Sequence, residues 1–291
     1  MIEQCISFVT DYTFQLVLLG TVLLGALSGA IGVFAVLRKQ SLLGDAISHA
    51  AFPGIALAFL LTWSKNPLIL LAGGACAGLL GAACVTIITH YSSLKHDTAL
   101  GIVLSVFFGS GLVLLTHVQK LAVSNQSVLN KYLFGNAATL LPEDVVLIAC
   151  MAIVFCFVLL LFWKELSLIA FDAAYAHTLG YRVVVWDMFL SFLLVLVIVI
   201  GLQAVGVVLM SSLLIAPAAA ARQWTHNLKK MIVIASFFGA LSSSIGAIVS
   251  SMVDQLPTGP VIVVVVSVLV LVSLLFAPAQ GLVWPVKRRA G

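Results

Sequence analysis

The chain has 291 residues, of which 63% are hydrophobic and only 8% charged, whereas soluble domains carry about 25% charged residues. That balance excludes a soluble domain and describes an integral membrane protein. The net charge of +4 lies between apolar runs, so it bears on membrane orientation and not on a nucleic-acid partner.

The apolar runs are long and barely interrupted, which means spanning helices and not the alternating strands of a barrel. Nine segments stand out, near 14–37, 46–62, 67–90, 98–118, 143–163, 184–200, 204–221, 230–251 and 260–277. The stretch 183–221 holds either two tight spans or one span and a broken helix. The expectation is therefore an all-α polytopic protein with eight or nine transmembrane helices. No positively charged segment precedes the first run, which is long enough to span, so it is expected to be a span and not a cleavable leader.

With the N-terminus outside and nine spans, Arg38, Lys39, Lys95, Lys164, Arg182, Arg222, Lys229, Lys230, Lys287, Arg288 and Arg289 fall inside, and Lys65, Lys120 and Lys131 fall outside. This is the bias of the positive-inside rule, and it makes the segment 164–182 cytoplasmic.

Taken in order, the first and third spans carry small residues at close spacing: Gly25, Gly29 and Gly32, then Gly74, Gly78 and Gly81. Ser242, Ser243, Ser244 and Gly246 repeat the pattern later. Such residues let helix backbones approach inside a bundle. Asp97 opens the fourth run as a first-turn cap, with His96 as a solvated loop residue. Between the fourth and fifth runs, 121–141 predicts a short re-entrant or surface helix around Tyr132-Leu133-Phe134-Gly135-Asn136. Pro142-Glu143-Asp144 then reads as a helix start, with proline first and acids in the first turn. Asp187 has a helix-start reading too, and His90, His117 and His226 read as interfacial. The cysteines (Cys5, Cys76, Cys84, Cys150, Cys156) include no C-x-x-C pair, and those in the apolar runs read as packing residues.

The stretch Ser41-Leu42-Leu43-Gly44-Asp45-Ala46-Ile47-Ser48-His49-Ala50-Ala51-Phe52-Pro53-Gly54 carries the chemistry. On a helix, Asp45 and His49 share a face. A carboxylate at the bilayer centre costs about 2.5–3.5 kcal/mol on insertion scales, so an intramembrane Asp points to function. Carboxylate plus imidazole suits a divalent transition metal. The alternative is a helix start, with Asp45 as the cap and His49 an ordinary interior histidine. Depth is a tension here, because Asp45 follows Arg38 by seven residues, about 10 Å of helix. Either the 38–43 loop dips into the membrane or a span is miscounted.

The cytoplasmic segment 171–181 has its own logic. Asp172 is a good N-cap, the residues from Ala173 to Leu179 favour helix, and Gly180 is a natural stop. It reads as an interfacial loop helix or as a docking knob for a cytoplasmic partner. No G-x-x-x-x-G-K-[ST] occurs, so the chain has no phosphate-cradling loop of its own, and neither H-E-x-x-H nor G-x-S-x-G is present. A permease subunit without its own engine fits these features, and no enzyme activity is expected.

These motifs, with Asp97-Thr98-Ala99-Leu100-Gly101-Ile102, Tyr132-Leu133-Phe134-Gly135, Pro142-Glu143-Asp144, Gln203-Ala204-Val205-Gly206 and Ala216-Pro217-Ala218, follow one another over about residues 14–278. In this the chain resembles the permease subunits of ATP-binding-cassette importers for manganese, zinc and iron. The resemblance implies a type II importer fold in the bacterial cytoplasmic (inner) membrane, with the whole chain as a single permease domain. It also implies a second permease subunit, identical or homologous, a cytoplasmic ATPase and an extracytoplasmic metal-binding protein. Asp45 and His49 match positions that contact metal in the translocation path. The segment 172–180, with Asp172, Tyr175, Ala176, Leu179 and Gly180, matches the coupling helix that enters a groove of the ATPase, and Tyr175, Ala176 and Leu179 are expected in that contact. No permanently bound cofactor is implied; the metal is cargo.

Three other functions compete. A siderophore or vitamin importer permease shares the architecture but has no use for two costly ligands in its path. An intramembrane metalloenzyme would want three protein ligands for catalytic zinc, and no third lies at helical spacing. A membrane scaffold has no need of Asp45.

Overall fold

The computed structural model describes residues 12–64, 66–121, 140–252, 256–278 and 283. All regular structure among them is helical: α1 (Tyr12–Leu37), α2 (Ser41–Thr62), α3 (Pro67–Tyr91), α4 (His96–Leu121), α5 (Pro142–Leu161), α6 (Trp163–Phe171), α7 (Ala173–Thr178), α8 (Val183–Val205), α9 (Val207–Trp224), α10 (Leu228–Met252) and α11 (Thr258–Phe276). Eight of these, α1 to α5, α8, α10 and α11, are long and apolar enough to cross a membrane. The helix expected around 132–136 lies outside the described residues.

Three boundaries differ from the sequence expectation, each for a local reason. α2 begins at Ser41 and not near 46, because Ser41, Gly44 and Asp45 lower the hydropathy without breaking the helix. The run 143–163 resolves into α5 and α6, with Phe162 between them. The stretch 183–221 becomes α8 and α9, parted by Gly206 alone at φ +80°, ψ 170°. A side chain at that φ/ψ would clash with the backbone, so glycine makes the break.

The chain divides into two compact units. The first comprises Met1–Leu37, Ala137–Ile153 and Ser212–Gly291. Its centre is the packing of α1 on α10, with α11 against α10. The backbones of Gly25 and Gly239 touch, and a methyl on either would overlap the other's carbonyl. Gly29 meets the backbone of Ala235 one turn on. Trp224 donates its indole N–H to the Ser273 hydroxyl at 3.1 Å, giving the polar edge of a large apolar side chain a partner inside the unit.

The second unit comprises Arg38–Asn136 and Val154–Ser211. α2 is its core helix and packs on α3, α4 and α8. It is the least apolar of the eight spans, with a mean hydropathy of 1.4 against at least 2.1 elsewhere, and also the most enclosed, with 72% of that stretch buried. The two facts belong together, since other helices shield its polar side chains from lipid. Gly54 and Gly73 bring α2 and α3 into backbone contact, and Gly81 sits against Ala50. Phe162, Trp186 and Phe189 form an edge-to-face cluster, with centroids 5.4 to 5.9 Å apart, beside the start of α8.

Two other expectations are corrected. Cys76, Cys150 and Cys156 lie exposed on the helix surfaces; being small, they are tolerated there without helix-to-helix packing. Asp187 is not a first-turn residue but the fifth residue of α8, where it pairs with Arg38. Glu143 and Asp144 do stand in the first turn of α5, and Asp144 accepts the Leu141 N–H at 3.0 Å.

Candidate functional site

Asp45 and His49 occupy the fifth and ninth positions of α2. The N-cap residue is Gln40, and its side chain makes no capping bond. Asp45 is therefore one turn inside the helix, about 6 Å along its axis from Ser41. The helix-cap reading of Asp45 fails on this point.

The side chains meet on one face, with His49 Nε2 3.5 Å from Asp45 Oδ1 and relative exposures of 14% and 33%. That separation is longer than a well-made N–H···O bond. The His49 ring stands edge-on to Phe108, with centroids 4.5 Å apart and planes at 72°. Its Nδ1 is buried and has no hydrogen-bond partner among the described residues. Among the described residues, no three His, Cys, Asp or Glu side chains gather closely enough to hold a metal ion. This unit thus offers one oxygen and one nitrogen donor.

The second feature is α7. The Asp172 carboxylate accepts the Tyr175 N–H at 2.9 Å, as an N-cap does. At the other end, Gly180 takes φ +86° and Tyr181 N–H bonds back to the Ala176 carbonyl at 3.1 Å, closing the helix in the manner of a Schellman turn. Tyr175 and Leu179 are each 54% exposed, but Ala176 is fully buried. The expectation that Ala176 joins Tyr175 and Leu179 in a partner contact is corrected accordingly. Its methyl faces its own chain, because a helix this short must spend one side on anchoring itself.

Residues 10–277 match ABC-3, the ABC 3 transport family. The chain belongs to that family. The ABC 3 chain is thus a permease of the ATP-binding-cassette type and a multi-pass inner-membrane protein. It is 48% identical over 280 residues to the zinc transport system membrane protein TroC of Treponema pallidum, covering 96% of this chain and 94% of that one. It is 47% identical over 268 residues to the manganese transport system membrane protein MntC of Bacillus subtilis, covering 92% of this chain and 62% of that one. Its fold matches a solved structure, PsaBC from Streptococcus pneumoniae in complex with Fab, with a TM-score of 0.83 and 34% identity, covering 96% of this chain and 98% of that one.

One feature of this permease escaped the sequence reading. Arg38 looked like a loop charge and Asp187 like a helix start, and nothing local links them.

Proposed function

We propose that the chain is the membrane-spanning subunit of an importer that carries a divalent transition metal into the cytoplasm, with Asp45 and His49 contacting the ion on its way. The observation that carries this reading is that the two donors face each other in the interior of α2, where neither serves the helix as a cap. Two ligands about 2.0–2.2 Å from one tetrahedral ion stand about 3.3–3.6 Å apart. The 3.5 Å between Nε2 and Oδ1 fits an ion held between them with little side-chain movement. A single oxygen and a single nitrogen form a weak site, which suits conduction because the ion must leave as well as enter. A second permease subunit, identical or homologous, would bring up to four ligands to one path.

The relatives that carry zinc and manganese in their names support the cargo class, and an oxygen–nitrogen pair accepts either metal, or iron. Energy comes from a separate cytoplasmic ATPase that docks on α7 through Tyr175 and Leu179. Asp172 and Gly180 fix the ends of that helix, and Ala176 anchors it. An extracytoplasmic metal-binding protein delivers the ion, the whole chain acts as one permease domain, and no cofactor stays bound.

The test is uptake of manganese and zinc by vesicles containing the assembled complex with Asp45→Asn or His49→Ala. Both variants are expected to assemble in normal yield and lose most of their uptake. Uptake at the wild-type level in both would overturn the metal-path role.

A further inference from the structure

We infer that a groove on the first two turns of α10 binds an anionic phospholipid of the inner leaflet. Lys229 and Lys230 hold its headgroup, and Val233 and Ile234 receive an acyl chain. The inference is independent of the metal-path reading.

The charge pattern comes first. From Met188 to Val253 the sequence holds no Asp or Glu, and its cations are Arg222, Lys229 and Lys230. Other inner-side cations stand near acids: Arg38 pairs with Asp187, Lys95 is two residues from Asp97, and Lys164 adjoins Glu165. The connection from α9 to α10 is wholly positive by comparison, and the positive-inside bias sets it on the cytoplasmic side. The helix gives its lysines no help, because the first turn is the positive end of a helix and disfavours cations. Anionic lipid headgroups on that side of the membrane attract such a cluster.

The geometry then selects the ligand. At helical spacing, Lys229, Val233 and Phe237 form one row on α10, and Lys230, Ile234 and Phe238 the next. Each row runs from a cation to an apolar side chain about 6 Å further along the axis, then to an aromatic ring after about 6 Å more. Lys229, Lys230, Val233 and Phe237 are all exposed. Lys229, Lys230, Val233 and Ile234 line an open groove of about 300 Å³. The rings continue its apolar strip: Phe237 and Phe238 have centroids 6.2 Å apart, and Phe238 meets Trp224 edge-on at 6.2 Å. Tryptophan is enriched where a helix leaves the bilayer. Lysine stems lie along apolar surface of this kind while their amines stay at headgroup level. A phospholipid matches both parts, with its negative headgroup on the rim and a chain on the floor. A cytoplasmic protein could meet the lysines but not a strip that runs two turns into a spanning helix.

The experiment titrates the purified complex of permease and ATPase, in detergent, with phosphatidylglycerol or phosphatidylcholine and reads bound lipid by native mass spectrometry. Phosphatidylglycerol should be held more tightly than phosphatidylcholine, and an excess of inorganic phosphate should not displace it. Lys229→Gln with Lys230→Gln should raise its Kd about 10-fold, while Lys229→Arg with Lys230→Arg, which keeps the charge, should not. Val233→Trp fills the groove and leaves both lysines, and should weaken binding by a similar factor. Lys120→Gln, which removes one charge elsewhere, should bind as the wild type does. Equal affinity for the two lipids, displacement by phosphate, or unchanged binding in either the double Gln variant or Val233→Trp would each overturn the inference. So would an equal loss in Lys120→Gln, which would make the effect one of net charge. Loss of the ATPase from the double Gln variant with lipid binding unchanged would assign the lysines to a protein contact and overturn it too.

Discussion

Arg38 and Asp187 form an ion pair that ties the turn leading into α2 to the second turn of α8. Arg38 is only 9% exposed and Asp187 28%, and burial pushes the Arg38 guanidinium below its ordinary pKa. It stays charged, since arginine is not deprotonated in proteins. α8 begins five residues after α7 ends, with Arg182 as its N-cap, and Arg38 precedes Asp45 by seven residues. The pair therefore joins the segment carrying the exposed α7 face to the helix carrying the donor pair.

Breaking this pair should be costly. Removing one partner of a buried pair leaves an uncompensated charge and costs about 3–5 kcal/mol; with Asp187 partly exposed, the low end applies. We predict that Asp187→Asn and Arg38→Gln each lower the thermal unfolding midpoint of the purified chain and raise ATP hydrolysed per ion imported. The double variant should be no less stable than either single one. Two unchanged midpoints would show the pair to be inconsequential.

The six-residue helix α7 makes a prediction that separates surface from anchor. Leu179→Arg and Tyr175→Ala alter exposed side chains, so the chain should fold normally yet lose ATPase docking or coupling. Ala176→Arg forces a long cation into a site with no exposure, so it should reduce the yield of the isolated chain itself. Asp172→Ala removes one cap bond and should cost about 1 kcal/mol. Co-purification with the ATPase, measured beside the yield of the chain alone, distinguishes the cases. Normal yield for Ala176→Arg would contradict the buried placement.

Much of this was legible beforehand because membrane helices are written in hydropathy, and because Asp45 and His49 are four residues apart on one of them. The capped form of α7 was equally local: Asp172 and Gly180 announce its two ends. What stayed hidden was non-local or fell below a periodicity signal. The start of α2 was missed because hydropathy discounts Ser41 and Asp45, which a helix accepts. The inward side of α7 could not be read because six residues do not make a repeat. Arg38 and Asp187 join segments far apart in the chain, and each alone had a plausible local role.

Glycine contacts give a paired prediction. A Cβ at Gly54 would overlap the backbone of Gly73, whereas a Cβ at Gly101 meets nothing within 4 Å. Gly54→Ala should force α2 and α3 apart and destabilise by about 1–3 kcal/mol, as overpacking does. Gly101→Ala should be neutral or stabilise by up to about 1 kcal/mol through helix propensity. Thermal unfolding of the two variants in the same detergent checks this, and similar midpoints would contradict the backbone contact between α2 and α3.

The donor set itself predicts how cargo preference can be moved. Carboxylate oxygen suits manganese, while imidazole nitrogen suits zinc. Asp45→His would replace the oxygen–nitrogen pair by two nitrogens at the same helical spacing. If the pair contacts the ion, the ratio of zinc to manganese bound by the purified complex should rise about 10-fold. Transport should not follow affinity, because a site that grips zinc more tightly releases it more slowly. The variant should therefore bind zinc better and import it more slowly, with manganese weakened in both measurements. Equilibrium titration with each ion, set beside initial uptake rates, reads the two effects separately. An unchanged binding ratio would mean that the ion does not touch residue 45, and that the cost of a carboxylate inside α2 is carried for some other purpose.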